Sequence, residues 1–201
     1  MKQQLKSFYE SRWDFVTQSG LDIDWIDPTV VHDNIEKLSD DIFMLIGESP
    51  ASEEVRIGRP FQGQAGKNLN KLIKLSRYER HQNFMICNAF PFMCLKDGVK
   101  GKINRNPKTP ELKVGAALLR QEIEIIKPKA IICLGGSALK ALKYLDARLK
   151  KYELNETAEY EMKSGERIPL YIINHPSPIA YNQKRYGDML KDFFTNLGGK
   201  F

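Results

Sequence analysis

Residues 130–149 read AIICLGGSALKALKYLDARL, and this stretch decides the fold class. It opens on an apolar run that is too short for a buried helix and is closed by two glycines, which predicts a buried strand. Leucines then recur at the spacing of one helix face, which predicts a helix over residues 137–149. Ser137 is of a residue type that caps helix starts, and we expect it to cap this one.

Three further apolar runs have the same character and are separated by helical patterns. They are DIFMLIGE at 41–48, NFMICNAF at 83–90 and LYIINH at 170–175. Amphipathic spacing predicts helices over residues 65–76, 110–127 and about 181–197. Continuous apolar strands that alternate with helices are typical of a parallel sheet covered on both faces. The sequence therefore predicts an α/β fold with three layers, α/β/α, around a central four-stranded parallel sheet.

The first forty residues have a different character. They hold one amphipathic helix followed by a looser stretch, and the apolar face of the helix carries Leu5, Phe8, Trp13, Phe15 and Val16. No repeat, low-complexity tract or linker marks off a second domain. We expect residues 1–201 to form a single domain, with residues 1–40 packed on its flank as a helical extension.

Composition narrows the class of protein. With 42% hydrophobic and 28% charged residues, the chain is neither collagen-like, nor disordered, nor a membrane-spanning protein. Its net charge of +6 is modest and makes polyanions more plausible partners than polycations. Three cysteines with no paired spacing favour a reducing compartment. No export leader or membrane span is apparent, so we expect a cytoplasmic protein with no membrane association.

Polar residues cluster where three of the predicted strands end. Glu48 and Ser49 follow the first strand, Asn88 lies near the end of the second, and His175 follows the fourth. In an open parallel sheet, ligands bind just outside the carboxyl ends of the strands. We therefore expect these side chains to line one site. The string HPSPIAYN at 175–182 strengthens this expectation, because its prolines restrict the backbone that carries the imidazole.

Four motifs, in this order, resemble those of the uracil-DNA glycosylase superfamily. They are GESPASEEVRIGRPFQGQAG at 47–66, the strand-end Asn88, NRNPKTPE at 104–111 and HPSPIAYN at 175–182. The resemblance covers roughly residues 43–194 and is nearest to the thermophile-type (family 4) branch, which normally carries an iron–sulfur cluster. It implies hydrolysis of the N-glycosidic bond of uracil, or of a related deaminated base, flipped out of DNA. Such an activity would initiate base excision repair.

The resemblance also implies roles for individual residues. Phe61 matches the aromatic residue that stacks on the flipped base, and Asn88 matches the amide that reads its Watson–Crick edge; we group Gly47 with these two as substrate-binding. His175 matches the residue that donates a hydrogen bond to O2 of the departing base, so we expect it to be catalytic. The structural alternative for Phe61 is ordinary core packing.

DNA binding is expected on two segments. Ser177 and Ile179 correspond to the family loop that presses on the minor groove, with Ile179 at the wedge position. Residues 96–108 carry five bases and one acid, a local charge of +4, and we expect Lys100, Lys102 and Arg105 to hold phosphates. The alternative is a solvated lysine-rich loop.

Three departures limit the resemblance. The cluster-bearing branch needs four cysteines, whereas this chain has three; Phe92 and Gly115 stand where ligands are expected, so we predict no metal and no cofactor. Ser49 replaces the Asp or Asn that positions water in several branches, which leaves Glu48 as our candidate for that role and Ser49 beside it. The neighbouring carboxylates of Glu53 and Glu54 could equally face solvent.

The third departure is the stretch 90–103, which we expect to be a lengthened loop at the pocket entrance. The leading hypothesis is a monomeric, metal-free glycosylase acting on damaged DNA. The first alternative is a catalytically silent relative that binds DNA or a nucleotide, which the presence of Ser49 favours. The second is an unrelated small-molecule hydrolase that uses Glu48 and His175.

Overall fold

The computed structural model describes residues 1–98 and 103–199. Its strands are β1 (Ile26–Asp27), β2 (Phe43–Gly47), β3 (Phe84–Asn88), β4 (Met93–Leu95), β5 (Asn104–Arg105), β6 (Ala130–Leu134), β7 (Thr157–Glu161) and β8 (Arg167–Ile173). Its α-helices are α1 (Lys2–Thr17), α2 (Ser52–Ile57), α3 (Gln64–Ile73), α4 (Arg80–Asn83), α5 (Thr109–Ile126), α6 (Gly136–Leu145), α7 (Pro178–Asn182) and α8 (Lys184–Thr195). Short 3₁₀ turns cover Ile23–Trp25, Ala147–Lys151 and Leu197–Gly199.

The central sheet has the strand order β3-β2-β6-β8-β7. The four strands predicted from apolar runs are β2, β3, β6 and β8, and they pair in parallel as expected. The predicted count was wrong, because β7 adds a fifth strand antiparallel to β8 at the edge. The segment TAEYE of β7 alternates between exposed and buried positions and has no continuous apolar run, since an edge strand can keep one face in solvent.

Helices cover both faces of this sheet. Alternate residues of a strand point to opposite faces, so Met44 and Ile46 of β2 join one core cluster while Phe43 and Leu45 join the other. The first cluster includes buried residues of α1, α5 and α6, and the second includes those of α3 and α8. The predicted three-layer α/β/α fold class is confirmed.

The helix predictions need four corrections. Ser137 does not cap α6: the N-cap is Gly135, and the helix has no side-chain cap. The helix predicted over residues 181–197 is two helices, α7 and α8, separated by an extended Gln183. The short helices α2 and α4 were not predicted. On α1, Phe15 lies on the exposed side, although Leu5, Phe8 and Val16 are buried as expected.

The stretch 90–103 contains structure as well as loop. Within it, β4 pairs antiparallel with β1 on one side and with β5 on the other, which forms a small second sheet. This sheet joins the N-terminal segment to the chain that follows Asn88. In the part of the chain that the structure describes, no helix has the length and apolar character needed to span a membrane.

Candidate active site

A cleft of about 260 Å³ opens at the carboxyl edge of the central sheet. Its lining includes five residues that the sequence singled out, namely Glu48, Ser49, Phe61, Asn88 and His175. Pockets for drug-sized ligands occupy about 300–1,000 Å³, so this cleft suits a smaller ligand. Larger concavities of about 340 and 430 Å³ lie along β7 and β8, but they are lined by other residues.

Gly47 brings the aromatic ring and the amide together. It ends β2 directly beside Asn88 at the end of β3, because the two residues are partners in the parallel register. A Cβ at position 47 would lie 2.5 Å from Cε2 of Phe61 and 2.7 Å from Oδ1 of Asn88. Only glycine leaves room for both groups. The ring of Phe61 also lies 5.5 Å from that of His175, centroid to centroid, with a tilt of 31°.

The loop that carries Phe61 is held by the buried carboxylate of Glu54. Its Oε1 accepts hydrogen bonds from the backbone N–H groups of Gln62 at 2.8 Å and Gly63 at 3.0 Å. Its Oε2 accepts one from Ala51 at 3.1 Å. Glu54 therefore does not face solvent, whereas Glu53 is exposed and pairs with Arg56.

Phe61 itself has a strained backbone. Its φ is +55°, a conformation that residues with a Cβ seldom adopt. Gly66 lets α3 approach this residue, because a Cβ at position 66 would lie 1.7 Å from the carbonyl oxygen of Phe61. Strain of this kind persists only where the surroundings hold it, and it is commonest at functional sites. The motif at 47–66 therefore forms one structural unit that positions the ring of Phe61.

His175 is held from two sides. The side-chain amide of Asn68, on α3, donates a hydrogen bond to the carbonyl of Pro176 at 3.1 Å. On the other side, Gly135 has a φ of +89°, and a Cβ there would lie 2.9 Å from the Cβ of His175. Burial lowers the pKa of His175, because desolvation disfavours the charged ring. The lowered pKa favours the neutral form of the imidazole.

Glu48 and Ser49 line the side of the cleft next to the end of β2. Both are half-buried and follow β2 directly. The hydroxyl of Ser137, at the start of α6, donates a hydrogen bond to Oε2 of Glu48. A carboxylate held in this way can accept a hydrogen bond from water through its other oxygen.

The expected minor-groove segment forms the start of α7. The hydroxyl of Ser177 accepts a hydrogen bond from the N–H of Ala180 at 3.4 Å and so caps the helix. The Ile179 side chain is 84% exposed, which is unusual for an isoleucine. An apolar side chain in this position is available to a partner.

Of the three expected phosphate contacts, the structure describes only Arg105. The guanidinium of Arg105 donates to both carboxylate oxygens of Glu111, at 2.8 and 2.6 Å. Its charge is therefore engaged within the chain, and Arg105 has a structural role that the sequence reading did not foresee. Lys100 and Lys102 lie outside the described residues.

Six further residues line the cleft, and the sequence predicted a site role for none of them. They are Ala51, Glu54, Gly63, Gln64, Ala65 and Asn104. Asn104 opens the NRNPKTPE motif, so the motif contained a signal for it. Glu54 and Gln64 likewise lie within the motif at 47–66, but only the packing of α2 and α3 brings them to the cleft.

The fold and the cleft define a class: an α/β protein with a small cleft at the ends of its parallel strands, lined by an aromatic ring, an amide and an imidazole. A family model described as "Uracil DNA glycosylase superfamily" matches residues 39–198. The chain belongs to the uracil-DNA glycosylase superfamily.

Individual relatives agree with this assignment. A type-4 uracil-DNA glycosylase of Pyrobaculum aerophilum is 30% identical over 158 residues, which are 78% of this chain and 76% of the relative. One from Sulfurisphaera tokodaii is 31% identical over 75% of this chain and 66% of its own length. One from Archaeoglobus fulgidus is 29% identical over 75% and 72%.

The residues of this chain do not fit the iron–sulfur cluster of the branch it resembles. Its cysteines are buried in three different strands: Cys87 in β3, Cys94 in β4 and Cys133 in β6. Over residues 1–98 and 103–199, no group of three His, Cys, Asp or Glu side chains could hold a metal ion. Burial raises the pKa of each of these thiols, which disfavours the thiolate that iron requires.

The two positions that replace expected ligands are packed by protein. The ring of Phe92 lies 5.1 Å from that of Trp13, centroid to centroid, in an edge-on contact. A Cβ at Gly115 would lie 2.1 Å from the carbonyl oxygen of Ala89, so α5 sits directly on the chain that follows Asn88.

Proposed function

We propose that this protein is a DNA glycosylase that hydrolyses the N-glycosidic bond of uracil, or of a related deaminated base, flipped out of DNA, and thereby initiates base excision repair. The proposal rests on one observation: Gly47 allows Phe61 and Asn88 to meet, and His175 lies against the same ring. The names of the relatives support the same reaction.

In this proposal, the ring of Phe61 and the amide of Asn88 recognise the base. A base must leave the duplex stack before its bond to C1′ can be reached, at a cost of a few kcal/mol. Stacking on Phe61 offsets about 1–3 kcal/mol of that cost. Asn88, 8% exposed at the end of β3, presents one donor and one acceptor. These match O4 and N3–H of uracil.

The reaction then develops charge in two places. As the bond between N1 and C1′ breaks, its electron pair leaves with the base, and the sugar becomes cationic. The neutral imidazole of His175 donates a hydrogen bond to O2 of the anionic base. Water held by Glu48, with Ser49 beside it, adds its oxygen to C1′. Its released proton ends on the departed base, so the products are free uracil and an abasic site.

The test is excision of uracil from a synthetic oligonucleotide, read as strand cleavage after alkali treatment. We expect H175A and N88A to lower kcat/KM by about 10²–10³-fold each, the effect of removing one preorganised donor. H81A is the matched control, because His81 is exposed on α4 at the start of β3, whereas Asn88 and the cleft lie at the other end of that strand. Wild-type protein that forms no product on uracil DNA would overturn the proposal.

Ser49 favours a second candidate, a silent relative that binds DNA or nucleotide without cleaving it. A serine hydroxyl is a poor base at neutral pH, and it stands in the cleft where a better water-positioning group would lie. Tight, salt-sensitive binding to uracil DNA in the absence of any product would support this candidate.

Ile179 provides a test of the contact with DNA. A wedge fills the gap left by a flipped nucleotide, which exists only in a duplex. We propose that I179A reduces excision from double-stranded DNA more than from single-stranded DNA. Equal effects on both substrates would remove the wedge role. The exposed Leu75 supplies a matched control, L75A, at the far end of α3.

We further propose that the protein acts as a monomer, in the cytoplasm, and as a single domain over residues 1–201. The burial of Leu5 and Val16 of α1 in the same cluster as α5 residues supports the packing of the first forty residues on that domain. The three buried free cysteines agree with a reducing compartment.

A further inference from the structure

The turn from β6 into α6 contacts two residues of the cleft at once. Gly135, at the start of this turn, lies against His175: a Cβ at position 135 would lie 2.9 Å from the Cβ of His175. Two residues later, the hydroxyl of Ser137 donates a hydrogen bond to Oε2 of Glu48. Because β6 lies between β2 and β8 in the sheet, the turn connects the carboxylate side of the cleft with the imidazole side.

Helix stability does not explain a serine at position 137. Gly135 is the N-cap of α6, so Ser137 lies inside the first turn. In a helix, serine is less favourable than alanine, because its hydroxyl competes for backbone hydrogen bonds. The described hydrogen bond of this hydroxyl goes to Glu48 instead, across 89 residues of sequence.

We propose that Ser137 is a positioning residue that orients the carboxylate of Glu48 towards the attacking water. A glutamate side chain rotates about several bonds and samples many orientations when it is free. A hydrogen bond to Oε2 selects one orientation and leaves Oε1 for the water. Holding a reactant in place in this way raises the rate of the bound complex more than it raises affinity. This inference rests on the proposed function, since Ser137 acts only through Glu48.

The first measurement compares S137A with wild type on uracil-containing DNA. We expect kcat to fall by about tenfold while KM stays within about twofold, because the bond acts on the chemical step and not on binding. S137T keeps a hydroxyl and restores most of the rate. The unfolding midpoint of S137A is expected to change little, since the better helix propensity of alanine offsets the lost hydrogen bond.

A merely structural role for Ser137 gives the opposite pattern. The midpoint of S137A would then fall together with its activity, and S137T would not restore one without the other. S76A is the matched control, because the Ser76 hydroxyl also donates a hydrogen bond, to the carbonyl of Ile73 at 2.7 Å, but does so at the far end of α3. Its kinetics are expected to match those of wild type.

A double-mutant cycle tests whether Ser137 acts through Glu48. In an E48A background, S137A is expected to cause no further loss, because the carboxylate that it positions is gone. Additive losses would overturn the inference while leaving the glycosylase function standing. The ¹³C carboxyl resonance of Glu48 gives a readout free of turnover, and it is expected to move in S137A and not in S76A. Inactive wild-type protein would overturn both proposals.

Discussion

The buried carboxylate of Glu54 holds the loop that carries Phe61. Its two oxygens accept three backbone N–H groups, two of which belong to the residues directly after Phe61. Charge-assisted bonds of this kind are about twice as strong as neutral ones. Glu54 therefore holds the left-handed backbone of Phe61, which would otherwise relax towards an ordinary conformation.

Replacement of Glu54 by alanine is expected to lower the free energy of unfolding by about 1–3 kcal/mol, because buried N–H donors lose their acceptor. It is also expected to raise KM for uracil-containing DNA, since the stacking ring loses its support. Chemical denaturation and steady-state kinetics measure the two effects. The matched control is E53A, which removes an exposed ion pair with Arg56 and is expected to change stability by less than about 1 kcal/mol.

The half-buried imidazole of His175 makes the stability of the fold depend on pH. Its pKa is lower in the folded protein than in the unfolded chain, where it is near the ordinary value of 6.5. Below about pH 6.5 the unfolded chain therefore binds a proton that the folded protein does not, and the folded state loses stability as pH falls through the folded-state pKa. Above the pKa that His175 has in the unfolded chain, its contribution to the stability of the fold has its full value.

We expect wild-type protein to lose more stability than H175Q as pH is lowered from about 7.5 to about 5, because glutamine cannot take up the proton. The free energy of unfolding at each pH, from urea titrations, gives the comparison. H81Q, which changes an exposed histidine, is expected to follow wild type. Parallel curves for wild type and H175Q would show that burial of the ring does not control its protonation.

The turn between β6 and α6 contains two glycines with different duties. Gly135 has a φ of +89° and lies against His175, so a side chain there is disfavoured both by its backbone and by its neighbour. Gly136 has open space where a Cβ would lie and is the first residue of α6. Glycine is therefore needed at position 135, beside His175, whereas position 136 has room for a side chain.

G135A is expected to destabilise the protein by about 1 kcal/mol or more and to lower kcat, because His175 must shift. G136A is its matched control: alanine is favoured over glycine within a helix by up to about 1 kcal/mol, so stability is expected to hold or rise. Thermal unfolding and uracil excision measure both variants. Equal effects of the two substitutions would contradict the assignment of Gly135 to the support of His175.

The surface charge of the molecule is modest, and part of it is neutralised within the chain. Of the basic residues between 96 and 108, Arg105 pairs with Glu111 and Lys108 pairs with Asp97 at 2.8 Å. Lys100 and Lys102 remain the proposed phosphate contacts. Each phosphate contact contributes close to one unit of slope in a plot of log affinity against log salt.

K100Q/K102Q is therefore expected to weaken binding to any DNA sequence and to reduce the salt slope by about 1–2 units. K150Q/K151Q is the matched control, because these adjacent exposed lysines follow α6 at the end remote from the cleft. Fluorescence anisotropy across a salt series measures both slopes. Weaker binding with an unchanged slope would remove the phosphate role.

The sequence by itself determined the layers, the parallel strands and the rim on which the cleft lies. Short apolar runs closed by turn residues define buried strands through local patterning, and parallel strands bring their carboxyl ends to one edge. The sequence pattern alone therefore places Asn88 and His175 at the same edge of the sheet. The family motifs added Phe61, because their spacing is local to a few segments of the chain.

Only the tertiary structure decided which polar groups pair. The edge strand β7, the burial of Glu54, the engagement of Arg105 by Glu111 and the bond from Ser137 to Glu48 all escaped the sequence analysis. Each depends on a partner whose approach is set by how loops and helices pack, and no local periodicity encodes that approach. Hydrophobic pattern is read along the chain, whereas a hydrogen bond exists only when two distant groups meet at the right distance and angle.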